Sequence, residues 1–214
     1  MKRAGKLFCC CIFVVMVCIA LIPVVLAADN FVPVRLLHGV QIELPGSWEV
    51  LSKNHRNALN SGLQSLHESV GTFDASSDLN FAANYYDEAG KVAAMVKVIF
   101  YPDLKPSQAD ARATGPSSIR DLDNILHEGT VKEGQTFGFS VLAWNGTSKQ
   151  DINGITTFVT EYKRSTFDNN GNFDVRFVRV SNVEKSFILI VSYRVDQEPL
   201  LRPICDSIIS SLRN

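Results

Sequence analysis

Residues 154–214 read GITTFVTEYKRSTFDNNGNFDVRFVRVSNVEKSFILIVSYRVDQEPLLRPICDSIISSLRN. Three strand-like runs follow one another here: Ile155 to Lys163, Phe173 to Val183 and Ser186 to Arg194. Asp168-Asn169-Asn170-Gly171 separates the first two, and Asn-Gly between apolar runs is the strongest short-range hairpin signal. Asn182 to Lys185 marks a second turn. Phe187-Ile188-Leu189-Ile190-Val191 is apolar at every position, so it belongs in the middle of a sheet covered on both faces. A helix follows, with Leu200, Ile204, Ile208 and Leu212 on one stripe that must pack on that sheet.

Working back towards the start, Asn153-Gly154 makes a tight turn into this block. Phe137 to Asn145 reads as a strand and Lys149-Gln150-Asp151 as a short one. Ser117 is placed to cap a helix running to about Lys132, with Ile119, Leu122, Ile125 and Leu126 on its apolar face. Gly115-Pro116 separates it from a shorter helical start at Ser107 to Arg112. Leu79 to Tyr86 and Val92 to Tyr101 form a hairpin across Asp87 to Gly90. Asn54 to Val70 is an amphipathic helix with Leu59, Leu63, Leu66 and Val70 along one side. Leu36 to Leu44 is a strand in which Val40, Ile42 and Leu44 alternate with Gln41 and Glu43. Pro45-Gly46-Ser47-Trp48 turns the chain and brings Trp48 over one end of the core, and Ala28 to Val34 is a short leader to the strand. Tight turns between consecutive strands make the sheet mainly antiparallel, and helices interrupt it singly. That order argues against a doubly wound parallel fold and for α+β with helices packed on the sheet.

The first 27 residues carry a secretory pattern: a basic start at Lys2, Arg3 and Lys6, an uncharged apolar run from Leu7 to Leu26, and small residues at Val25 and Ala27. Cleavage is expected after Ala27, leaving residues 28–214 as a single domain. The competing reading is an uncleaved membrane anchor, since the apolar run approaches the roughly 20 residues that span a bilayer. Pro23 and the Ala27-Ala28 step favour cleavage. Cys18, preceded by Val15-Met16-Val17, lacks the pattern of a lipoprotein anchor. With the leader gone, 18 of the 21 basic residues and all 22 acidic ones remain, a net charge of −4. That balance speaks against nucleic acid and against strong binding to anionic membranes. Four of the five cysteines lie in the leader, so Cys205 stands alone and the domain is held by its core.

Three features together resemble the superfamily of PsbP and the Ran-binding protein Mog. They are Gly39-Val40-Gln41-Ile42-Glu43-Leu44-Pro45-Gly46-Ser47-Trp48, Asp151-Ile152-Asn153-Gly154 before a long strand, and Phe187 to Ser192 followed by a helix with Ile208-Ile209-Ser210-Ser211-Leu212. The resemblance implies a three-layer α/β/α sandwich around a mainly antiparallel sheet. It also implies a binding or accessory protein rather than an enzyme. It transfers no functional residue.

Catalytic motifs are not found. There is no nucleophile elbow, no phosphate loop, no Gly-x-Gly-x-x-Gly and no paired-cysteine motif. His38, His55, His67 and His127 show no ligand spacing, so no metal or cofactor is expected. Asp168 to Asp174 has the oxygen alternation of a calcium loop but lacks its glycine and its closing glutamate, and a hairpin tip explains it. Asn145-Gly146-Thr147 is a glycosylation sequon that also serves as a turn. Glu161, Lys163, Arg164, Arg176 and Arg179 on adjacent strands are the candidate interaction surface, joined by cross-strand ion pairs on a solvated patch. Tyr86, Phe100 and Trp144 are candidates to line a pocket between sheet and helices. The expected function is an exported, non-catalytic binding or accessory protein whose partner is an envelope protein. A small-molecule carrier is the alternative, and an enzyme comes last.

Overall fold

Alternation governs the architecture. In the computed structural model, residues 30–59, 78–101, 106–166, 171–182 and 186–213 are described. Residues from Phe31 onward cluster as one unit. The strands are β1 Phe31–Arg35, β2 Gln41–Pro45, β3 Glu49–Val50, β4 Asp78–Tyr86 and β5 Val92–Tyr101, then β6 Val141–Ile152, β7 Ile155–Ser165, β8 Asn172–Val180 and β9 Ser186–Arg194. The helices are α1 (its described part 53–59), α2 Gln108–Ala113, α3 Pro116–Phe137 and α4 Glu198–Ser210. Seven strands pair in the order β3-β4-β5-β9-β8-β7-β6, and β1 pairs with β2 in a separate ribbon. Every pairing is antiparallel. The continuous apolar run of β9 sits at the centre, hydrogen-bonded to β5 and β8, as its two apolar faces demand.

The main core lies between this sheet and α4. Leu189, Val191 and Tyr193 of β9, Val96 and Val98 of β5, and Val178 of β8 meet Leu201, Cys205, Ile208 and Leu212 there. Trp48 closes one end, buried and stacked on Tyr85 at 6.2 Å between ring centroids. The inward stripe of α4 differs from the expected one by one residue at its start. Leu201 is fully buried whereas Leu200 is 37% exposed, because the helix docks on the Leu201-Cys205-Ile208 side.

Several other boundaries moved for local reasons. The stretch 28–34, expected only as a lead-in to the next strand, holds most of β1, since Pro33 is tolerated where a strand has a free edge. The strand expected over 36–44 is a 3₁₀ turn at Leu37–Gly39 followed by β2. Helix α3 begins at Pro116, with Gly115 rather than Ser117 at the cap; proline suits the first helical turn. It also runs on past Lys132 to Phe137 and stops at Gly138, whose φ of 81° is the left-handed closing geometry. Phe137 is therefore helical, and the expected strands 137–145 and 149–151 are one strand, β6, with two register shifts. Ile125 is 68% exposed and Leu59 41% exposed, so neither sits on the buried side of its helix. The remainder of the helix expected over 54–70, with Leu63, Leu66 and Val70, lies outside the described residues.

Candidate functional site

Consecutive strand residues point to opposite faces. On β7 this sends Glu161 and Lys163 to one side and Tyr162 and Arg164 to the other. The β7–β8 register places Glu161 beside Arg176 and Lys163 beside Asp174, and sets Phe158 beside Arg179. The five charged residues expected to form one patch are thus split between two faces. Glu161, Lys163 and Arg176 lie under α4; Arg164 and Arg179 lie under α3.

On the α4 face the charges tie the helix to the sheet. Arg176 donates from Nη1 to Asp206 Oδ1 of α4, and its Nε lies 3.8 Å from Glu161 Oε1. Lys163 Nζ is 4.0 Å from Asp174 Oδ2 and 3.8 Å from Glu198 Oε2, and Glu198 also pairs with Arg202 at 2.9 Å. Burial opposes the charge of Arg176, but the hydrogen bond and field of Asp206 with the field of Glu161 prevail and raise its pKa. Asp174 goes the other way. Burial outweighs Arg176 and Lys163, and its pKa is raised. Arg176 is only 8% exposed, whereas Glu161, Lys163 and Asp206 around it are partly open to solvent.

The α3 face is built differently. Trp144 stacks on Tyr162 at 5.5 Å, and Tyr162 meets Phe177 edge-on at 5.5 Å. Asp123 of α3 accepts a hydrogen bond from Trp144 Nε1 at 3.0 Å, and the His127 ring lies 4.7 Å from the indole. The Arg164 guanidinium lies 5.1 Å from the Phe139 ring centre and 5.4 Å from that of Phe173. Arg179 lies 5.2 Å from the centre of Phe177 and donates to Thr160 Oγ1 at 2.9 Å. Among the described residues no carboxylate comes within ion-pair distance of Arg179. Burial pulls its pKa down to about 10, against the fields of Tyr101, Tyr162 and Glu133. Lys97 also lies on this face, since its partner Ile190 is the partner of Phe177. Burial, with the Arg164 charge, lowers its pKa. Burial raises Tyr101 and Tyr162 to about 12.

Lys97, Tyr101, Glu133 and Tyr162 were not singled out from the sequence. The signal for Lys97 was present: one cation inside Val92-Ala93-Ala94-Met95-Val96-Lys97-Val98-Ile99-Phe100. The expected pocket is not assembled. Tyr86 is exposed at the end of β4, Phe100 is buried on the α4 face against Phe187, and Trp144 is on the α3 face. A separate cleft of ≈ 530 Å³ lies between the start of α3 and β6, lined by Ile119, Arg120, Asp123, Asn145, Thr147 and Glu161 among others. Among the described residues no three His, Cys, Asp or Glu side chains gather as a metal site. Of the calcium-like stretch Asp168 to Asp174, residues 168–170 lie outside the described residues and Asn172 to Asp174 open β8.

A seven-stranded antiparallel sheet clasped between α4 and α3 is a PsbP-like α+β sandwich. Among solved structures it is similar to cyanobacterial PsbP from Synechocystis, with a TM-score of 0.54 and 13% identity over 86% of this chain and 92% of that one. LpqN of Mycobacterium tuberculosis, involved in cell envelope biogenesis, matches at a TM-score of 0.42 and 14% identity over 86% of this chain and 89% of that one. The Ran-binding protein Mog1p of Saccharomyces cerevisiae matches at 0.44 and 7% identity over 87% of this chain and 96% of that one. No protein-family model and no curated protein matches the chain.

Proposed function

We propose that this is an exported, non-catalytic binding or accessory protein of the periplasm or cell envelope, which meets an envelope protein through the α3 face of its sheet. Arg179 carries this reading. The fold holds its guanidinium half-buried against a ring and one hydroxyl, and among the described residues no carboxylate reaches ion-pair distance, Glu133 acting only through its field. A desolvated charge left in that state is under-compensated, and an acidic group from outside would complete it. Of the five charged residues, Glu161, Lys163 and Arg176 are tied to ion pairs under α4, and Arg164 donates to the Ser165 carbonyl, which leaves Arg179 as the cation offered to a partner. Export rests on the leader, with cleavage after Ala27 releasing residues 28–214 as one domain. The net charge of −4 favours neither nucleic acid nor anionic membranes. Among the described residues no helix is long and apolar enough to cross a membrane.

The test is a photo-crosslinker at Ile125 or Leu142, exposed positions two residues from contacts of Trp144 or from Trp144 itself. In envelope extract the full chain should give one adduct, identified by mass spectrometry, that is lost on Arg179→Glu and kept on Arg202→Gln. An adduct indifferent to Arg179, or none, overturns the reading. Turnover in a hydrolase panel overturns its non-catalytic half. A small-molecule carrier is the second reading, favoured by the cleft beside β6. A compound that raises the melting temperature only while Arg120 is present would shift the balance to it.

A further inference from the structure

The cleft between α3 and β6 has a charge pattern of its own. Arg120 and Asp123 both line it. They stand three residues apart on α3, a spacing that makes two side chains neighbours on one face of a helix. Yet among the described residues they form no ion pair, with each other or with anything else, and the Arg120 side chain makes no hydrogen bond. Trp144 explains the separation. Its Nε1 donates to Asp123 Oδ1 at 3.0 Å and fixes the carboxylate over Gly146. A Cβ on that glycine would stand 3.7 and 3.8 Å from the two carboxylate oxygens, so the missing side chain leaves room beside them. Asp123 Oδ2 has no partner among the described residues.

The other polar groups around the cleft are already engaged. Thr147 Oγ1 shares a hydrogen bond of 2.9 Å with Thr160, and Ser148 Oγ accepts one of 2.9 Å from Gln150. Glu161 Oε1 lies 3.8 Å from Arg176 Nε. The cleft therefore offers one free guanidinium and one free carboxylate oxygen, with Ile119 as an apolar wall. A plain anion gains from Arg120 and is repelled by Asp123, and a plain cation meets the reverse. An uncharged polyol leaves both charges unanswered. A ligand that carries both charges answers both. The volume of ≈ 530 Å³ lies within the range of about 300–1,000 Å³ common to small-molecule sites.

We infer that this cleft binds a free α-amino acid as its zwitterion, with the carboxylate on Arg120 and the ammonium on Asp123. A guanidinium takes a carboxylate through two parallel hydrogen bonds, and an ammonium has three protons to donate, one of them to Asp123 Oδ2. The inference gives the small-molecule reading of the cleft its ligand class. It rests on that reading and not on the Arg179 face.

The experiment titrates the full chain by calorimetry with L-valine and L-glutamine, an apolar and a polar side chain. The comparisons, at equal ionic strength, are their N-acetyl derivatives, which lack the ammonium, their amides, which lack the carboxylate, and glucose. At least one free amino acid should bind about tenfold or more tightly than either of its derivatives. Arg120→Gln should remove the preference over the amide. Asp123→Asn, which keeps an acceptor for Trp144, should remove the preference over the N-acetyl compound. Arg202→Gln, on α4, should change neither. A purely structural role for the two residues predicts an altered melting temperature with the order of compounds unchanged. Derivatives that bind as well as the free amino acids, or variants that keep both preferences, overturn the inference. Arg120-dependent binding of glucose or of a singly charged derivative in place of the amino acids sinks this chemistry and leaves a small-molecule site. Binding by none of the compounds removes both.

Discussion

Asn153 holds the end of α4. Its side-chain amide donates to the carbonyl of Leu212 at 2.9 Å and to that of Ser210 at 2.7 Å. The last carbonyls of a helix have no partner within it, and here the β6–β7 turn satisfies that of Ser210 together with that of Leu212 just past the cap. Asn153 can do this because the turn puts it at φ 53°, beside Gly154 at φ 79°. Asn-Gly is the pair that such a turn favours. The tail is then stitched to β2, where Gln41 and Arg213 exchange backbone hydrogen bonds of 2.8 and 2.9 Å.

Asn153→Ala removes both hydrogen bonds and places an alanine in left-handed geometry, so it should lower stability by about 2–3 kcal/mol. Asn153→Gly relieves the backbone and should recover about 1 kcal/mol of that. Urea denaturation of the two variants checks the order. Equal losses would mean that the hydrogen bonds alone matter.

Leu200 and Leu201 are neighbours with opposite fates. Leu201 is fully buried in the core under α4, and Leu200 is partly exposed. Leu201→Ala should cost about 2–5 kcal/mol and Leu200→Ala less than about 0.5 kcal/mol. Chemical denaturation distinguishes them directly, and similar values would refute the docking angle of α4.

Gly134 sits in the last turns of α3, where its carbonyl accepts from both Gly138 and Phe139. A Cβ there would lie 2.5 Å from the Phe139 carbonyl oxygen. Alanine ordinarily stabilises a helix interior by about 1 kcal/mol over glycine. At this site the backbone clash reverses the sign, and Gly134→Ala should destabilise by about 1–3 kcal/mol. A gain in melting temperature would show that α3 ends differently.

Asp174 is costly to ionise in the folded state, because burial raises its pKa above the ordinary 3.8. Its contribution to stability therefore grows as pH falls through that raised value and levels off below 3.8, where the unfolded chain is protonated too. Asp174→Asn removes the term. The variant should be more stable than the parent at pH 7 and lose that advantage by about pH 3. Denaturation curves at the two pH values test it, and an advantage that grows on acidification would contradict it.

Cys205 is fully buried in the α4 core, and burial pushes its thiol up to about 12. Its labelling by iodoacetamide should proceed only through unfolding, with a rate that rises with urea as global stability falls. Fast labelling of the native protein would place α4 off the sheet.

Much of the sandwich is legible in the sequence itself. Turn chemistry is local, so Asn153-Gly154 declared its hairpin on its own. An apolar run with no polar face, as in Phe187 to Val191, has few homes other than the centre of a covered sheet. Strand alternation likewise marked Val40, Ile42 and Leu44 as core, and all three are buried. The ends of α3 were less legible. Gly134 looks like a stop signal, but it is there for the close approach of Phe139.

Neighbouring residues with opposite orientations decided the rest. In α4 two rows of apolar residues share Ile208 and Leu212, and only the angle at which the helix meets β9 selects Leu201 over Leu200. On β7, Lys163 and Arg164 are adjacent in sequence and end on different faces of a sheet. A cluster of charges read along the chain therefore became a clamp beneath α4 on one side and a cationic, aromatic face beneath α3 on the other. Local residue preferences determine where strands turn and which way side chains alternate. Which helix covers which face, and so which charges are neutralised, depends on contacts between segments far apart in sequence, and only the packed structure supplies those.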